Sequence, residues 1–176
     1  MSSEKVWMSI TASADGTKLA AVVDAGYIWT SVNSGENWTQ QTGSGSRRWN
    51  AITSSSDGTK LAATASTSIV PFGSLKGIYT SSDSGVNWTE RITDSSTIWN
   101  RITSSADGFK LAAVAINDYI YTSTDAGVNW TQQTGPGTQF WTDITSSADG
   151  IQLAAVANAI LTGGNIWIST DSGNNW

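Results

Sequence analysis

The chain contains neither cysteine nor histidine, and few of its residues are charged. Without cysteine there are no disulfides and no thiolate chemistry, although that absence does not assign a compartment. Without histidine the commonest general base and the commonest metal ligand are both missing. Lysine and arginine number nine against fourteen acidic residues, a net charge of −5. A nucleic-acid interface needs clustered cations. Arg47-Arg48 is the one adjacent basic pair, and it reads as a solvated loop, so neither nucleic acid nor an anionic membrane is expected as a partner. No apolar run is long enough to span a bilayer, and Met1–Lys5 runs straight into repeat material with no apolar signal core. At 13% charged and 39% hydrophobic, with ten tryptophans in 176 residues, the chain suits a folded domain of ordinary size. With no signal core, the chain is either cytoplasmic or has its export signal outside this sequence, and its Ser/Thr/Asn/Gly-rich, lysine-poor composition favours a secreted or cell-surface protein.

What the sequence does have is repetition. Ser-x-Asp-x-Gly-x-x-Trp occurs at Ser81, Asp83, Gly85 and Trp88, at Ser123, Asp125, Gly127 and Trp130, and at Ser169, Asp171, Gly173 and Trp176. A fourth copy, Ser31, Asn33, Gly35 and Trp38, has Asn in place of Asp. An Asp or Asn at the third position can accept backbone N–H groups ahead of it and build a turn. Glycine two places on supplies a conformation that a Cβ resists, and the tryptophan can fold back as an apolar plug whose N–H needs a partner. Because Asn33 can serve without charge, these residues are expected to be structural. A second landmark, Ile-Thr-x-Ser-x-Asp-Gly, places Asp15, Asp57, Asp107 and Asp149 at spacings of 42, 50 and 42 residues. A tryptophan stands three residues before each isoleucine: Trp7, Trp49, Trp99 and Trp141.

Each repeat reads as four short strands, with breakers about every ten residues and no helical period. In the third repeat these are Trp99–Ser104, Lys110–Ala115, Tyr119–Ser123 and Asn129–Gln133, with turns at Asp107-Gly108, at Asn117-Asp118 and in the box. The second strand of every repeat is nearly all small and apolar: Leu19–Val23, Leu61–Ala65, Leu111–Ala115 and Leu153–Ala157. Such a run demands cover on both faces. Four-stranded antiparallel units packed face to face around an axis supply it. The expected fold is therefore all-β, a β-propeller with four blades per chain, over residues 5–46, 47–96, 97–138 and 139–176. The last blade lacks most of its outer strand. Insertions interrupt the period at Ser66–Gly77 and Asn158–Gly164, both between the second and third strands. The blade count leads to two expectations for assembly: a homodimer closing an eight-bladed ring, or the remaining blades of a longer chain.

The Ser-x-Asp-x-Gly-x-x-Trp copies resemble the Asp-box, or BNR repeat, of sialidases, sortilin-type receptors and photosystem II assembly factors. The resemblance covers all four repeats. It implies that the box lies between the third and fourth strands of each blade, remote from any active centre. It implies for a sialidase an arginine cluster, a Tyr nucleophile with a Glu partner, and an acidic proton donor. The chain has Arg47, Arg48, Arg91 and Arg101, none in a sialidase motif, and Glu4, Glu36 and Glu90 lie at an end or beside box turns. The expectation is a non-catalytic scaffold or binding module, for carbohydrate or protein, assembling through its blade ends. The alternatives are a sialidase-like glycoside hydrolase and an assembly factor for a membrane complex. Trp7, Trp49, Trp99 and Trp141, with Asn50, Asn100 and Asp143, are the candidate ligand-binding residues, since indoles stack on sugars and the polar groups bond hydroxyls; the competing reading makes these tryptophans wedges between blades. No cofactor and no metal site are expected, because each loop offers few carboxylates.

Overall fold

The small apolar second strands of the two middle blades find sheets above and below them in the computed structural model, which describes residues 4–66, 76–92, 96–158 and 164–176. Blade one comprises β1 (Trp7–Ala12), β2 (Leu19–Val23), β3 (Ile28–Ser31) and β4 (Thr39–Gln41). Blade two comprises β5 (Trp49–Ser54), β6 (Leu61–Ala65), β7 (Gly77–Ser81) and β8 (Thr89–Ile92). Blade three comprises β9 (Ile98–Ser104), β10 (Leu111–Asp118), β11 (Ile120–Ser123) and β12 (Thr131–Gln133). Blade four comprises β13 (Gln139–Ser146), β14 (Leu153–Asn158) and β15 (Asn165–Ser169). Strands pair antiparallel with their sequence neighbours in every blade. Among the described residues there is no α-helix, only a 3-10 turn at Thr42–Ser44. The fold is the all-β arrangement expected. Most of the two insertions, residues 67–75 and 159–163, lies outside the described residues.

The structure corrects one turn. Asn117-Asp118 does not end the second strand, because β10 runs through to Asp118 with Asn117 at φ +56. The extension pairs with the start of β13, Ile116 opposite Phe140 and Asp118 opposite Gln139. Blades three and four therefore form one continuous seven-stranded sheet. Gly26 and Arg47 make the corresponding bridge from blade one to blade two, exchanging both backbone hydrogen bonds at 2.9 and 3.0 Å.

Three seams of the same composition hold the blades together. The forward face of one blade is small: Ala20, Val22 and Ile28 in blade one. The backward face of the next is large: Trp49, Ile52, Leu61 and Tyr79 in blade two. Ile78 meets Trp99 and Ile102 at the second seam, and Ile120 meets Trp141 and Ile144 at the third. Alanine, a poor strand former in isolation, is favoured here because a methyl group lets sheets approach while still removing apolar area from water. Polar groups repeat with the same period. Ala14 N–H donates to Ser56 O, Ser56 N–H to Ala106 O and Ala106 N–H to Ala148 O, each at 2.7 Å. At the first seam Arg48 also clamps Asp24 through paired bonds of 2.6 and 2.7 Å.

The seams run out at both ends. Ile52 is 5% exposed but its counterpart Ile10 in blade one is 63% exposed. On blade four the forward face ends in exposed Ile166 and Ile168. The four blades form an open arc.

The seams also fix the box glycine. Gly127 has φ +83, and a Cβ there would lie 2.8 Å from Thr80 Cγ2 of the preceding blade. Gly127→Val should thus lower the melting temperature sharply, through backbone strain together with a clash at the seam; an unchanged melting curve would contradict this packing.

Candidate functional site

The box turn is centred on its serine. Ser81 Oγ donates to Asp83 Oδ1 at 2.8 Å and accepts Gly85 N–H at 2.9 Å. The same Asp83 Oδ1 accepts Asn87 N–H at 2.9 Å, and Oδ2 accepts the Asn87 side-chain amide at 2.6 Å. Asp125 and Asp171 repeat both bonds with Asn129 and Asn175. Asn33 keeps the bonds to Ser31 Oγ and Asn37 N–H, at 2.9 and 3.0 Å. The carboxylates are thus engaged within their own turns. The Asn87 backbone N–H leads in holding Asp83 below the usual carboxylate range. The tryptophan folds back as expected: Trp88, Trp130 and Trp176 donate Nε1–H to the carbonyls of Gly85, Gly127 and Gly173 at 2.8–2.9 Å. Trp38 makes no such bond and leans on Trp7 instead, ring centroids 6.5 Å apart. The residue before each glycine, Ser34, Ser84, Ala126 or Ser172, is itself left-handed at φ 57–60.

The Asp–Gly turns use the same device. Ser13 Oγ donates to Asp15 Oδ1 at 2.6 Å, and Thr17 N–H adds a bond at 3.0 Å. The Ser13 hydroxyl, then the Thr17 N–H and hydroxyl, lower the Asp15 pKa from 3.8 to about 2. Ser55, Ser105 and Ser147 hold Asp57, Asp107 and Asp149 down in the same way.

The candidate ligand-binding residues separate into two groups. Trp49, Trp99 and Trp141 are fully buried at the three seams, so they offer no face to a ligand where they stand. Each is a wedge. Trp49 Nε1–H reaches back to Gly26 O at 3.1 Å and Trp141 Nε1–H to Asp118 O at 3.0 Å, whereas Trp99 Nε1 has no hydrogen-bond partner. Asn50 and Asn100 tie successive inner strands together by donating to Trp99 O at 2.6 Å and Trp141 O at 2.9 Å. Asp143 is exposed on β13 and accepts the N–H of Ile144.

Trp7 alone of the four opening tryptophans is exposed, at 52%. It meets Trp29 edge-on at 6.4 Å, with Lys5 4.8 Å above the Trp29 ring. Together with Trp38, Met8 and Ile10 these residues line an apolar groove of about 550 Å³. The groove is the open form of a triad found in every repeat. Trp49 with Tyr79 and Trp88, at 5.1 and 6.2 Å, is the buried form in blade two. The third-strand aromatics Trp29, Tyr79, Tyr121 and Trp167 were not singled out from the sequence; their constant place one residue after the third-strand isoleucine was the available signal.

A second cluster also went unnoticed in the sequence. Tyr79 OH donates to Glu90 Oε1 at 2.6 Å, and the Arg47 guanidinium lies 4.4 Å from the Tyr79 ring centroid. This is a tyrosine–glutamate pair beside an arginine. Tyr79 is 2% exposed, however, and burial, followed by the Glu90 bond, raises its pKa to about 12.

No family model matches the chain, and neither does any curated protein. Solved structures do. YCF48 from Cyanidioschyzon merolae superposes with a TM-score of 0.70 at 14% identity, over 98% of this chain and 56% of that one. TolB from Acinetobacter baumannii gives 0.69 at 23%, over 98% and 43%. A GH74 xyloglucanase from Xanthomonas campestris gives 0.69 at 14%, over 95% and 29%. These neighbours are β-propellers, and the present chain spans between 29% and 56% of their lengths. At such identities the likeness establishes the fold alone: a partial β-propeller.

The turn chemistry sets an acid limit. A carboxylate whose folded pKa lies below 3.8 adds stability that is complete above that value and lost as pH falls through the folded pKa. Melting temperature should hold from pH 7 to about 5 and then decline between about pH 4 and 2. Asp125→Asn should cost far less at neutral pH than Gly127→Val, since Asn33 already makes two of the same bonds. A large loss for Asp125→Asn would mean that charge, not turn geometry, holds the box.

Proposed function

We propose that this chain is a non-catalytic scaffold, an arc of Asp-box blades that associates through its end blades. One observation carries the reading: the aromatic triad that three seams bury is open on blade one. Three aromatic rings left open to solvent on an end blade are the kind of exposed apolar surface that marks an interaction site. The small isoleucine-bearing face at the other end of the arc supports the same conclusion. The composition supports work outside the cell or at its surface.

The enzymatic alternative gains little from the geometry. The tyrosine–glutamate pair of Tyr79 and Glu90 matches what a sialidase would need in kind, but a buried phenol with a raised pKa is the opposite of an activated nucleophile. A carbohydrate ligand would have one candidate indole face, that of Trp7. A protein partner is the stronger class: YCF48 has been solved bound to a D1 peptide, and nidogen in complex with laminin.

Light scattering should report a mass above the 18.6 kDa of one chain, with no turnover of sialosides or xyloglucan. Trp7→Ala should reduce that mass and lower melting only by what association contributes, leaving a folded single chain. Trp49→Ala, the same change at a closed seam, should cost about 3–5 kcal/mol of stability. A one-chain mass at every concentration, or glycoside turnover, would contradict the reading.

A further inference from the structure

Resting on that reading, the partner of the open ends can be specified, because each internal seam is made of the same matched halves and the ends carry one unmatched half apiece. Ile28, Ile78 and Ile120 each pack against the opening tryptophan of the next blade. The equivalent Ile166 on blade four is 74% exposed, and the equivalent tryptophan, Trp7, is the one with its groove open. Lys18, Lys60 and Lys110 lie under Gly58, Gly108 and Gly150 of the next blade, where a Cβ would meet them at 2.8 Å. Gly16 on blade one has the same left-handed backbone but nothing within 4 Å of a Cβ, and Gln152 stands at the lysine position on blade four. Thr30, Thr80 and Thr122 fill the space beside Gly85, Gly127 and Gly173. No threonine reaches Gly35, and Ile168 occupies the threonine position at the far end, exposed.

The backbone chain of seam bonds ends in the same complementary way. It runs from Ala14 N–H to Ala148 O through Ser56 and Ala106, leaving Ala148 N–H as an unmatched donor and Ala14 O as an unmatched acceptor among the described residues. The faces also differ in charge: Lys5 stands over the groove of blade one, and Asp143 is exposed on the inner strand of blade four.

We propose that the occupant of the blade-one groove is blade four of a second copy of this chain, and that two copies close head-to-tail into a ring of eight blades. The new seam repeats the three internal ones, with Ile166 against Trp7, Ile168 beside Gly35, Gln152 under Gly16 and Ala148 N–H donating to Ala14 O. Closed propellers run from about four to eight blades, so two copies reach the upper end and a third would exceed it. Each seam sets one face against a different face, and a two-fold axis exchanges the two seams, so the ring closes with two copies because each chain offers both halves.

The test is mass by light scattering on the full chain, alone and as two variants, with circular dichroism to follow folding. Trp7 and Ile166 are both exposed in the single chain, so Trp7→Asp and Ile166→Asp should each still fold, with the strand-rich spectrum of the parent, but melt below it because they lack the seams that association adds. The parent should weigh two chains and each variant one. An equimolar mixture of the variants should regain a two-chain species, more weakly than the parent, because blade four of the Trp7→Asp chain and blade one of the Ile166→Asp chain still make one intact seam. If Ile166→Asp remains a dimer while Trp7→Asp does not, the contact is blade one on blade one, which overturns the head-to-tail arrangement but leaves association through the blade ends standing. Three or more chains per particle, or no recovery on mixing, would likewise overturn it. A one-chain mass for the parent at every concentration would remove the underlying reading as well.

Discussion

A strand of leucine, alanine and valine has no wet side, and everything else in this molecule follows from covering it twice. β6 and the Leu111–Ala115 stretch of β10 are buried throughout and enclosed by a blade on either side. An isolated blade could not meet that demand, so the stabilising unit is the seam between two blades, as in other repeat architectures where each unit leans on its neighbours. The tryptophan that opens each repeat makes the seam directional: a large aromatic face always receives a small aliphatic one. Direction is then reinforced by backbone bonds between successive Asp–Gly turns and by lysine and threonine side chains that reach forward under the glycines of the next blade.

The turns serve that packing. In both kinds of turn a serine hydroxyl is the hub: it donates to a carboxylate and accepts a backbone N–H. These local rings hold the hairpins at the height where glycines of one blade meet threonines and lysines of the previous one. The turn aspartates are thereby engaged in structure. Catalysis and binding lose candidates for the same reason, since an indole in a seam or a carboxylate in a turn has no free surface left to act with.

Much of this was legible in the sequence because it is local. The period, the short antiparallel strands of each repeat, the box turn and the folded-back tryptophan all depend on residues close together in the chain, and Asn33 makes its turn bonds with no charge at that position. Other features were not legible, because they depend on the neighbouring blade. Asn50 and Asn100 look like ligand-binding amides until their acceptors prove to be carbonyls of the next inner strand. The run of β10 beyond Asn117 is stabilised by β13, some twenty residues on, which no local turn rule registers. The pairing of Tyr79 with Glu90 is a cross-strand contact inside blade two. The different fates of Trp7 and Trp49, identical in local sequence role, come entirely from whether a blade precedes them.

Amide hydrogen exchange on the Ile166→Asp chain, kept as a single copy, tests the dependence of each blade on its neighbours most directly. The amides of β6 and β10, covered on both faces, should exchange slowest. Those of β2 and β14, each covered by one neighbouring blade, should exchange measurably faster despite nearly the same sequence. Equal protection of the second strand in all four blades would contradict the account, because it would mean that each sheet is stable in its own right.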